Sequence, residues 1–422
     1  MKKLNMLLAR SSIFAIFIVI VTSSVTFAAT LDEAIYSAHK NADEIAIRAL
    51  NVNLSEVEVS HALQKFLPEV KYSIDRGSGR MNTSIEGYGV TNYDVKNDSF
   101  TIKEDLSLHR LIPEYIVRQN TLKSDLAKYQ LFLNDFTIRM VQNYVDIIIA
   151  RENLALAKDL DISIASEEYN STIKKIIGSI NIIDFLGVES RYDDSQSRII
   201  QAQMQVQQLE DLYALYTKTQ PTSMNLPTKF LLPANNLNDY LAMVRTSNKS
   251  LEDIRSRMIV ASSSKNAAYV DLFLPKASVE YADKKSIFAF FPGTPSFQQK
   301  QLVMSLEMDI YDKGEKVSNI AKASILKRMT ERELQMAHDT LEIQAKTLWG
   351  SHHSLYLLHQ AKRKELEVEQ ARLNIAKAKF AKKSISLVDL VQVKANFYNA
   401  KINYLNTYKE FVVNYYKLLG TL

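Results

Sequence analysis

The chain repeats its own pattern about halfway along, and the repeated stretches decide the fold. Ser179-Ile-Asn-Ile-Ile-Asp184 recurs as Ser384-Ile-Ser-Leu-Val-Asp389, 205 positions later. Leu31-Asp-Glu-Ala through Phe66-Leu67-Pro68-Glu69-Val70 recurs as Leu237-Asn-Asp-Tyr through Phe273-Leu274-Pro275-Lys276-Ala277, at offsets of 206 to 207. Because the pairs keep their order, two halves of the chain correspond. The pattern predicts one structural repeat over residues 29–230 and a second over 231–422.

Residues 1–28 have the pattern of an export signal peptide. Lys2, Lys3 and Arg10 precede an apolar run over residues 13–21, and Thr26-Phe27-Ala28 places small residues before a cleavage point. We therefore expect the mature protein to begin at Ala29. The run is shorter than the roughly 20 residues of a membrane-spanning helix, and no later stretch of that length lacks charge, which excludes a bundle of inner-membrane helices.

Composition narrows the class of protein further. The chain has no cysteine, so it carries neither a disulfide nor a lipid-modified cysteine. Its net charge is +5, and loss of the three basic residues of the signal, with no acid before Asp32, leaves +2. This near-neutral balance gives no reason to expect binding to nucleic acid. No phosphate-binding loop and no nucleophile–base–acid set is recognisable, so neither a cofactor nor an enzymatic activity is expected.

The prolines mark out two long helical hairpins, because residues 114–220 and 296–422 contain none. Two apolar series recur at spacings of four and three, as in coiled coils. They are Leu122, Leu126, Tyr129, Leu133, Phe136 and Met140, and Val388, Val391, Ala395, Tyr398, Ile402 and Leu405. A helix from about Glu114 to Lys175 is on the order of 90 Å long. Such helices could pack as a compact bundle, but their length favours side-by-side packing with other subunits.

Each half also predicts a pair of β-strands between its leading helix and its long hairpin. Apolar residues alternate with polar ones at 70–75 and at 302–310. The predicted connecting loops are 76–97 and 285–298, and the second holds the cluster Phe288, Phe290 and Phe291. Such pairs could be soluble hairpins, yet with an export signal they also suit an outer membrane. Four strands cannot close a barrel, so several subunits would pool them, and three chains would give twelve strands.

With these features the chain resembles the TolC-like outer membrane efflux proteins. The resemblance is carried by the helix start Leu31-Asp-Glu-Ala34, the Leu-Pro pairs at 67–68 and 274–275, Asp309-Ile-Tyr-Asp-Lys-Gly314 and the twin hairpin turns. It implies a mainly helical protein with a small β part. Its homotrimer would form a periplasmic α-barrel and a twelve-stranded β-barrel in outer membrane lipid. It also implies a passive duct, which works with a periplasmic adaptor protein and an inner-membrane pump of the RND, ABC or MFS type.

The resemblance places the functional residues at the two hairpin turns. Asp389 would form an acidic ring at the periplasmic entrance, with Asp184 as its partner, and such a ring favours cations. The alternative is that both are ordinary early-helix acids, stabilised by the helix dipole. Adaptor docking would use the turn residues Gly178, Ser179, Ile180, Lys383, Ser384, Ile385 and Leu387. The alternative there is that a tight turn simply tolerates these residues.

Two departures from the family pattern weaken the predicted gate. Gln392 replaces a second acid, and Lys383 stands in place of a second glycine. Because residues 381–390 contain no arginine, a closing salt bridge must be weaker or use Lys382 or Lys383. His352, His353 and His359 lie close together in sequence, and packing is expected for them rather than metal binding. The leading function is thus an export duct for small toxic compounds or for unfolded protein. The alternative is a structural or adhesive coiled-coil protein of the envelope.

Overall fold

The computed structural model describes residues 30–82, 90–178, 181–228, 230–289 and 297–422, so the predicted signal peptide lies outside the described residues. Eight helices and four strands follow one another in these ranges. They are α1 (Leu31–Asn41), α2 (Asp43–Gln64), β1 (Glu69–Asn82), β2 (Val90–Asp105), α3 (Leu108–Ile176), α4 (Ile182–Thr217), α5 (Leu237–Ser247), α6 (Lys249–Phe273), β3 (Lys276–Ala289), β4 (Phe297–Glu307), α7 (Glu315–Ala381) and α8 (Leu387–Gly420). The same order of elements occurs twice, and the boundaries of the two repeats stay a prediction.

The leading segment of each half is two helices, where the sequence predicts one. The break between α1 and α2 falls at Ala42, and the break between α5 and α6 falls at Asn248, both with extended backbone. Asn248 supplies the cap of α6, since its side chain accepts hydrogen bonds from the backbone N–H groups of Ser250 and Leu251. Neither break contains glycine or proline, and this is why the sequence pattern does not reveal them.

Each half contains one very long helix. The 69 residues of α3 span on the order of 100 Å, and α7 has 67 residues. The predicted start of α3 at about Glu114 is wrong, because the helix begins at Leu108 and includes Pro113. Ser107, which is buried, anchors this early start: its Oγ accepts a hydrogen bond of 3.0 Å from the N–H of Ala277 on the neighbouring strand.

The helices form two hairpins that share a core. α3 packs against α4, α7 packs against α8, and α3 also contacts α6 and α8. The main apolar core lies where α1, α4 and α8 meet the middle of α3, around Phe136, Met140 and Tyr144, which are fully buried. The predicted seam of α3 is therefore correct at Phe136 and Met140. Leu126 is 40% exposed, and Ser124 and Ala127 are buried at that height of the helix instead.

The four strands form one antiparallel sheet in the order β1-β2-β3-β4, which confirms a strand pair in each half. Both predicted loops are too long. In the first pair β1 continues to Asn82 and β2 begins at Val90, and in the second pair β3 continues to Ala289 and β4 begins at Phe297. Backbone pairing between neighbouring strands continues across glycine residues, as at Gly77, which lies opposite Val95. Phe288 therefore belongs to β3, whereas Phe290 and Phe291 lie outside the described residues.

One face of the sheet is apolar and open to the surroundings. Tyr72 lies opposite Phe100, and Tyr281 lies opposite both Ile102 and Leu302, so these side chains share a face. The exposed apolar residues of the strands include Val70, Tyr72, Ile74, Phe100, Leu302, Met304 and Leu306. Because β4 ends at Glu307, Met308 and Ile310 lie beyond the strand in which the sequence pattern placed them. Across the described ranges, no helix has both the length and the apolar character that a membrane crossing requires.

Candidate functional site at the hairpin tips

The two hairpin turns have matching backbone geometry. Gly178 ends the first long helix with φ +68°, and Lys383 ends the second with φ +58°, both in the left-handed region. They lie 205 positions apart, the offset of the sequence repeat. In the second turn the N–H of Ser384 donates to the carbonyl oxygen of Lys379 at 2.9 Å, which closes the end of α7. A lysine in this conformation costs about 1–2 kcal/mol relative to glycine.

The predicted docking residues can be placed at the second tip and only in part at the first. Gly178, Lys383 and Ser384 are exposed, whereas Ile385 and Leu387 are half-buried. Ser179 and Ile180 lie outside the described residues. A cleft of about 710 Å³ separates the two tips, and its walls include Lys174 of the first hairpin and Leu387 of the second. The two turns thus lie side by side at one end of the molecule.

Asp389 is the third residue of α8, and its side chain belongs to a helix-capping box. The N–H of Asp389 donates to Ser386 Oγ at 3.1 Å, and Asp389 Oδ2 accepts from Ser386 N–H at 3.1 Å and from Ser386 Oγ at 2.7 Å. These hydrogen bonds, chiefly those from the Ser386 side chain, lower the pKa of the Asp389 carboxyl. The exposed carboxylate is therefore ionised at neutral pH and also begins the helix, as the early-helix alternative expects.

Asp184 occupies the matching position of α4. Its helix begins after Asn181, whose side chain accepts a hydrogen bond of 3.1 Å from the N–H of Ile183. Asp184 is three residues after this cap, as Asp389 is three residues after Ser386. The acid that the family pattern would place near Asp389 is absent, since Gln392 bonds instead to Asn396 at 3.1 Å. Entrance roles for Asp184 and Asp389 stay a prediction.

The second tip is rich in lysine. Lys377, Lys379, Lys382 and Lys383 are exposed, and none of their amino groups forms an ion pair with an acidic group of the described residues. At the first tip, the amino group of Lys175 lies 3.8 Å from the centre of the Phe185 ring. Within one chain, the side chains of Lys382 and Lys383 therefore form no closing salt bridge with an acidic group of the described residues.

The ion pairs that join the two hairpins lie further from the tips. Lys394 of α8 donates to Asp159 Oδ1 at 3.3 Å and to Ser163 Oγ at 3.1 Å, both on α3. Two further pairs link the same helices, Lys401 with Glu152 and Lys409 with Asp146. These pairs could not be assigned from the sequence alone. Their signal is a spacing of seven between Lys394 and Lys401 that matches the spacing between Glu152 and Asp159, but assigning it requires the antiparallel register.

His352 and His359 of α7 pack against aromatic residues of α8, as expected, whereas His353 is exposed and the expectation is wrong there. The rings of His352 and Phe411 have centroids 4.9 Å apart, and so do the rings of His359 and Tyr404. Burial lowers the pKa of both imidazoles, which favours their neutral forms. In the part of the chain that the structure describes, no group of three or more His, Cys, Asp or Glu side chains is placed to hold a metal ion.

Comparison with known proteins gives matches in structure but not in sequence. No protein-family model and no curated protein matches the sequence. The Campylobacter jejuni CmeC outer membrane channel superposes with a TM-score of 0.77 at 13% identity, over 93% of this chain and 85% of that one. The open state of the Neisseria gonorrhoeae MtrE outer membrane channel gives 0.69 at 16% identity, over 92% and 88%.

The outer membrane protein VceC of Vibrio cholerae gives a TM-score of 0.69 at 9% identity, over 93% of this chain and 95% of that one. Matches of this extent include both hairpins and the sheet, so the likeness is one of the whole architecture. At such identities it establishes the fold and not the activity. The resemblance inferred from the sequence is confirmed at this level: the chain has the fold of the TolC-like outer membrane channels.

Proposed function

We propose that the protein is a passive export channel of a Gram-negative outer membrane. One observation carries the proposal most strongly: a sheet with an exposed apolar face continues directly into helical hairpins on the order of 100 Å long. An apolar sheet face suits lipid contact, and the long hairpins suit a span of the periplasm. The fold shared with three outer membrane proteins supports the same function.

The sheet supports assembly from several chains. Among the described strands, β1 pairs only with β2 and β4 only with β3, so both edges of the four-stranded sheet have free backbone hydrogen-bonding groups. Such edges are not tolerated in lipid, where unsatisfied backbone groups cost several kcal/mol each. Pairing of β1 with β4 of a neighbouring subunit satisfies both edges. In our proposal three subunits do this and form a twelve-stranded barrel.

The helices offer complementary surfaces for the same assembly. α2 contacts α3, α3 contacts α6, and α6 contacts α7, so α2 and α7 lie at the two edges of this row of helices. Four exposed apolar residues follow the outer face of α2, namely Ile47, Leu50, Leu54 and Val57. Four more follow α7, namely Ile325, Met329, Met336 and Ile343. Both sets have coiled-coil spacing, so we infer that α2 of one subunit packs against α7 of the next.

Within this proposal the hairpin tips face the periplasm and form the entrance. Asp389 and Asp184 lie at its rim, and the exposed turn residues dock a periplasmic adaptor protein. An inner-membrane pump of the RND, ABC or MFS type supplies the energy. The cargo is either small toxic compounds or unfolded protein. A structural coiled-coil protein is not favoured, because it gives no role to the exposed apolar face of the sheet.

Engineered cysteines test the assembly, since the chain has none of its own. Leu50 and Met329 each lie 14 residues from the sheet-side end of their helix, at Gln64 and Glu315, and therefore at about the same height. The variant L50C/M329C should form covalent trimers in outer membranes under oxidising conditions. The matched control L50C/I343C moves the second cysteine 14 residues, or roughly 21 Å, along the same stripe and should not.

Channel activity is tested separately in planar lipid bilayers. The purified trimer should produce discrete single-channel currents. A well-folded trimer that conducts no ions would contradict the proposed channel function and favour the structural coiled-coil alternative. A protein that stays monomeric, with no cross-link in L50C/M329C, would reject the proposed assembly.

A further inference from the structure

The entrance proposed above has a strong positive charge, and this feature belongs to the second hairpin. Residues 377–392 contain four lysines and one aspartate, which leaves +3. The corresponding residues 172–187 of the first hairpin contain two lysines and one aspartate, which leaves +1. The two tips together carry +4, whereas the whole chain from Ala29 onward carries +2. The positive charge is therefore concentrated at one end of the molecule, and the remainder of the chain is slightly acidic.

No acid within residues 377–392 pairs with these lysines. The one acid in that range is Asp389, and its carboxylate is held in hydrogen bonds by Ser386. Lys394, one turn and a half further along α8, already pairs with Asp159. The amino groups of Lys377, Lys379, Lys382 and Lys383 have no acidic partner among the described residues. Helix dipoles do not offset them either, because each turn joins the negative end of one helix to the positive end of the next.

The lysines are close enough to the rim to act together. Lys377 is six residues from Lys383, which corresponds to about 9 Å along the helix, close to the Debye length of about 8 Å at physiological salt. In a trimer every charge occurs three times around one opening. The two tips would then place a net charge of +12 at the entrance, three times the +4 of each chain.

We propose that the entrance of the channel attracts anions, so that its cargo carries carboxylate, sulfate or phosphate groups. This inference rests on the proposed channel function. A potential of only about one kT at the rim raises the local anion concentration and lowers that of cations, which changes their ratio roughly sevenfold. The aspartates considered alone predict a preference for cations. Four unpaired lysines outweigh one aspartate at the second tip, and the net field has the opposite sign.

The test is the reversal potential of the purified trimer in planar bilayers under a tenfold KCl gradient. Wild type should favour chloride over potassium by at least about twofold at low salt, with a weaker preference at high salt because screening is stronger. Millimolar citrate, a polyvalent anion, should reduce the current when added on the side of the hairpin tips. The variant K377Q/K379Q/K382Q/K383G should lose the chloride preference. Its Lys383→Gly change copies Gly178, so the turn geometry is preserved.

Two controls separate the charge of the tip from other effects. Lys40→Gln removes an exposed charge from α1, far from the turns, and should leave selectivity unchanged. Asp389→Asn should increase the chloride preference. A wild-type channel that favours potassium, or a quadruple variant that keeps the chloride preference while folding as a trimer, would overturn the inference and leave the channel function standing. A folded trimer without conductance would overturn both.

Discussion

The contact between Lys394 of α8 and Asp159 of α3 gives the sharpest test of what holds the second hairpin in place. Lys394 is 9% exposed, so its ammonium group has little access to water. Asp159 Oδ1 and Ser163 Oγ accept its hydrogen bonds at 3.3 Å and 3.1 Å. Because α8 begins next to the hairpin tip, weakening this contact should let the tip-side part of α8 separate from α3.

The two partners differ in burial, and this difference sets the expected magnitudes. Replacing Asp159 with alanine leaves a covered ammonium group with one neutral acceptor. Both hydrogen bonds are long, so we take the lower end of the range for charged groups, about 1.5 kcal/mol. Replacing Lys394 with methionine keeps the apolar stem and leaves Asp159, whose side chain is 48% exposed and can be hydrated. That change should cost about 0.5 kcal/mol.

Hydrogen exchange of the backbone amides measures this local opening. Amides of α8 between Leu387 and Tyr398 should exchange about tenfold faster in Asp159→Ala and about twofold faster in Lys394→Met. The double variant should resemble Lys394→Met, because removing the lysine also removes the unpaired charge. Amides of α5 (Leu237–Ser247), which lies near the other end of the hairpin, serve as the internal control.

Two results would refute this reasoning. If Asp159→Ala exchanged like the wild type, the contact would contribute nothing to the position of α8. In that case the pairs Lys401–Glu152 and Lys409–Asp146 would carry the attachment of the hairpin. If the double variant opened much further than Lys394→Met, Asp159 would be stabilising the position of α8 independently of the lysine.

Three further predictions concern pH dependence and the core. Hydrogen bonds from Ser386 lower the folded pKa of Asp389, so its contribution to stability is present above its unfolded pKa of about 3.8 and is lost as the pH falls through the folded value. Melting followed by circular dichroism should show a loss of stability below about pH 4 in the wild type. The loss should be much smaller in Ser386→Ala. Burial also lowers the pKa of His352 and His359, so their contribution to stability is present above about pH 6.5 and is lost as the pH falls through the lowered folded values. The melting temperature of the variant H352F/H359F should change little on the same acidification. Phe136→Ala removes a fully buried ring whose centroid lies 5.0 Å from that of Tyr216, and it should cost about 3–5 kcal/mol. A lower yield of folded protein in a detergent extract would show this loss.

Much of the fold could be predicted because its signals are periodic and repeated. Helical and strand periods alternate in the same order in both halves, and the two strand pairs occur where the alternation predicts them. The breaks at Ala42 and Asn248 were missed because neither contains glycine or proline. Ala42 has no side-chain cap, and Asn248 caps α6 with its side chain. Strand ends were missed because ladder pairing extends strands through residues of low strand propensity, such as Gly77.

Less of the candidate site could be predicted, and the reason is that the site depends on contacts between distant segments. Asp389 was found from its position after a turn, but its hydrogen bonds with Ser386 depend on where α8 begins. Lys394 lies 235 residues from Asp159, and no local pattern specifies that pairing. The positive φ of Lys383 follows from its equivalence with Gly178, which the repeat offset does reveal.

The two hairpin turns share a backbone conformation but differ in charge. Gly178 and Lys383 have the same backbone conformation, yet one is neutral and the other is strained and charged. A lysine is retained there at a cost of about 1–2 kcal/mol relative to glycine. Three more lysines lie on the same helix end, at 377, 379 and 382, where an exposed helix could equally accept neutral residues. Lys218 and Lys313, away from the tips, also have positive φ, so the strain alone does not assign a role to Lys383. In our proposal Lys383 adds its charge to the combined field at the entrance. For that reason Lys383→Gly alone should stabilise the second turn while weakening the preference for anions, and a change in both quantities in the same direction would contradict the explanation.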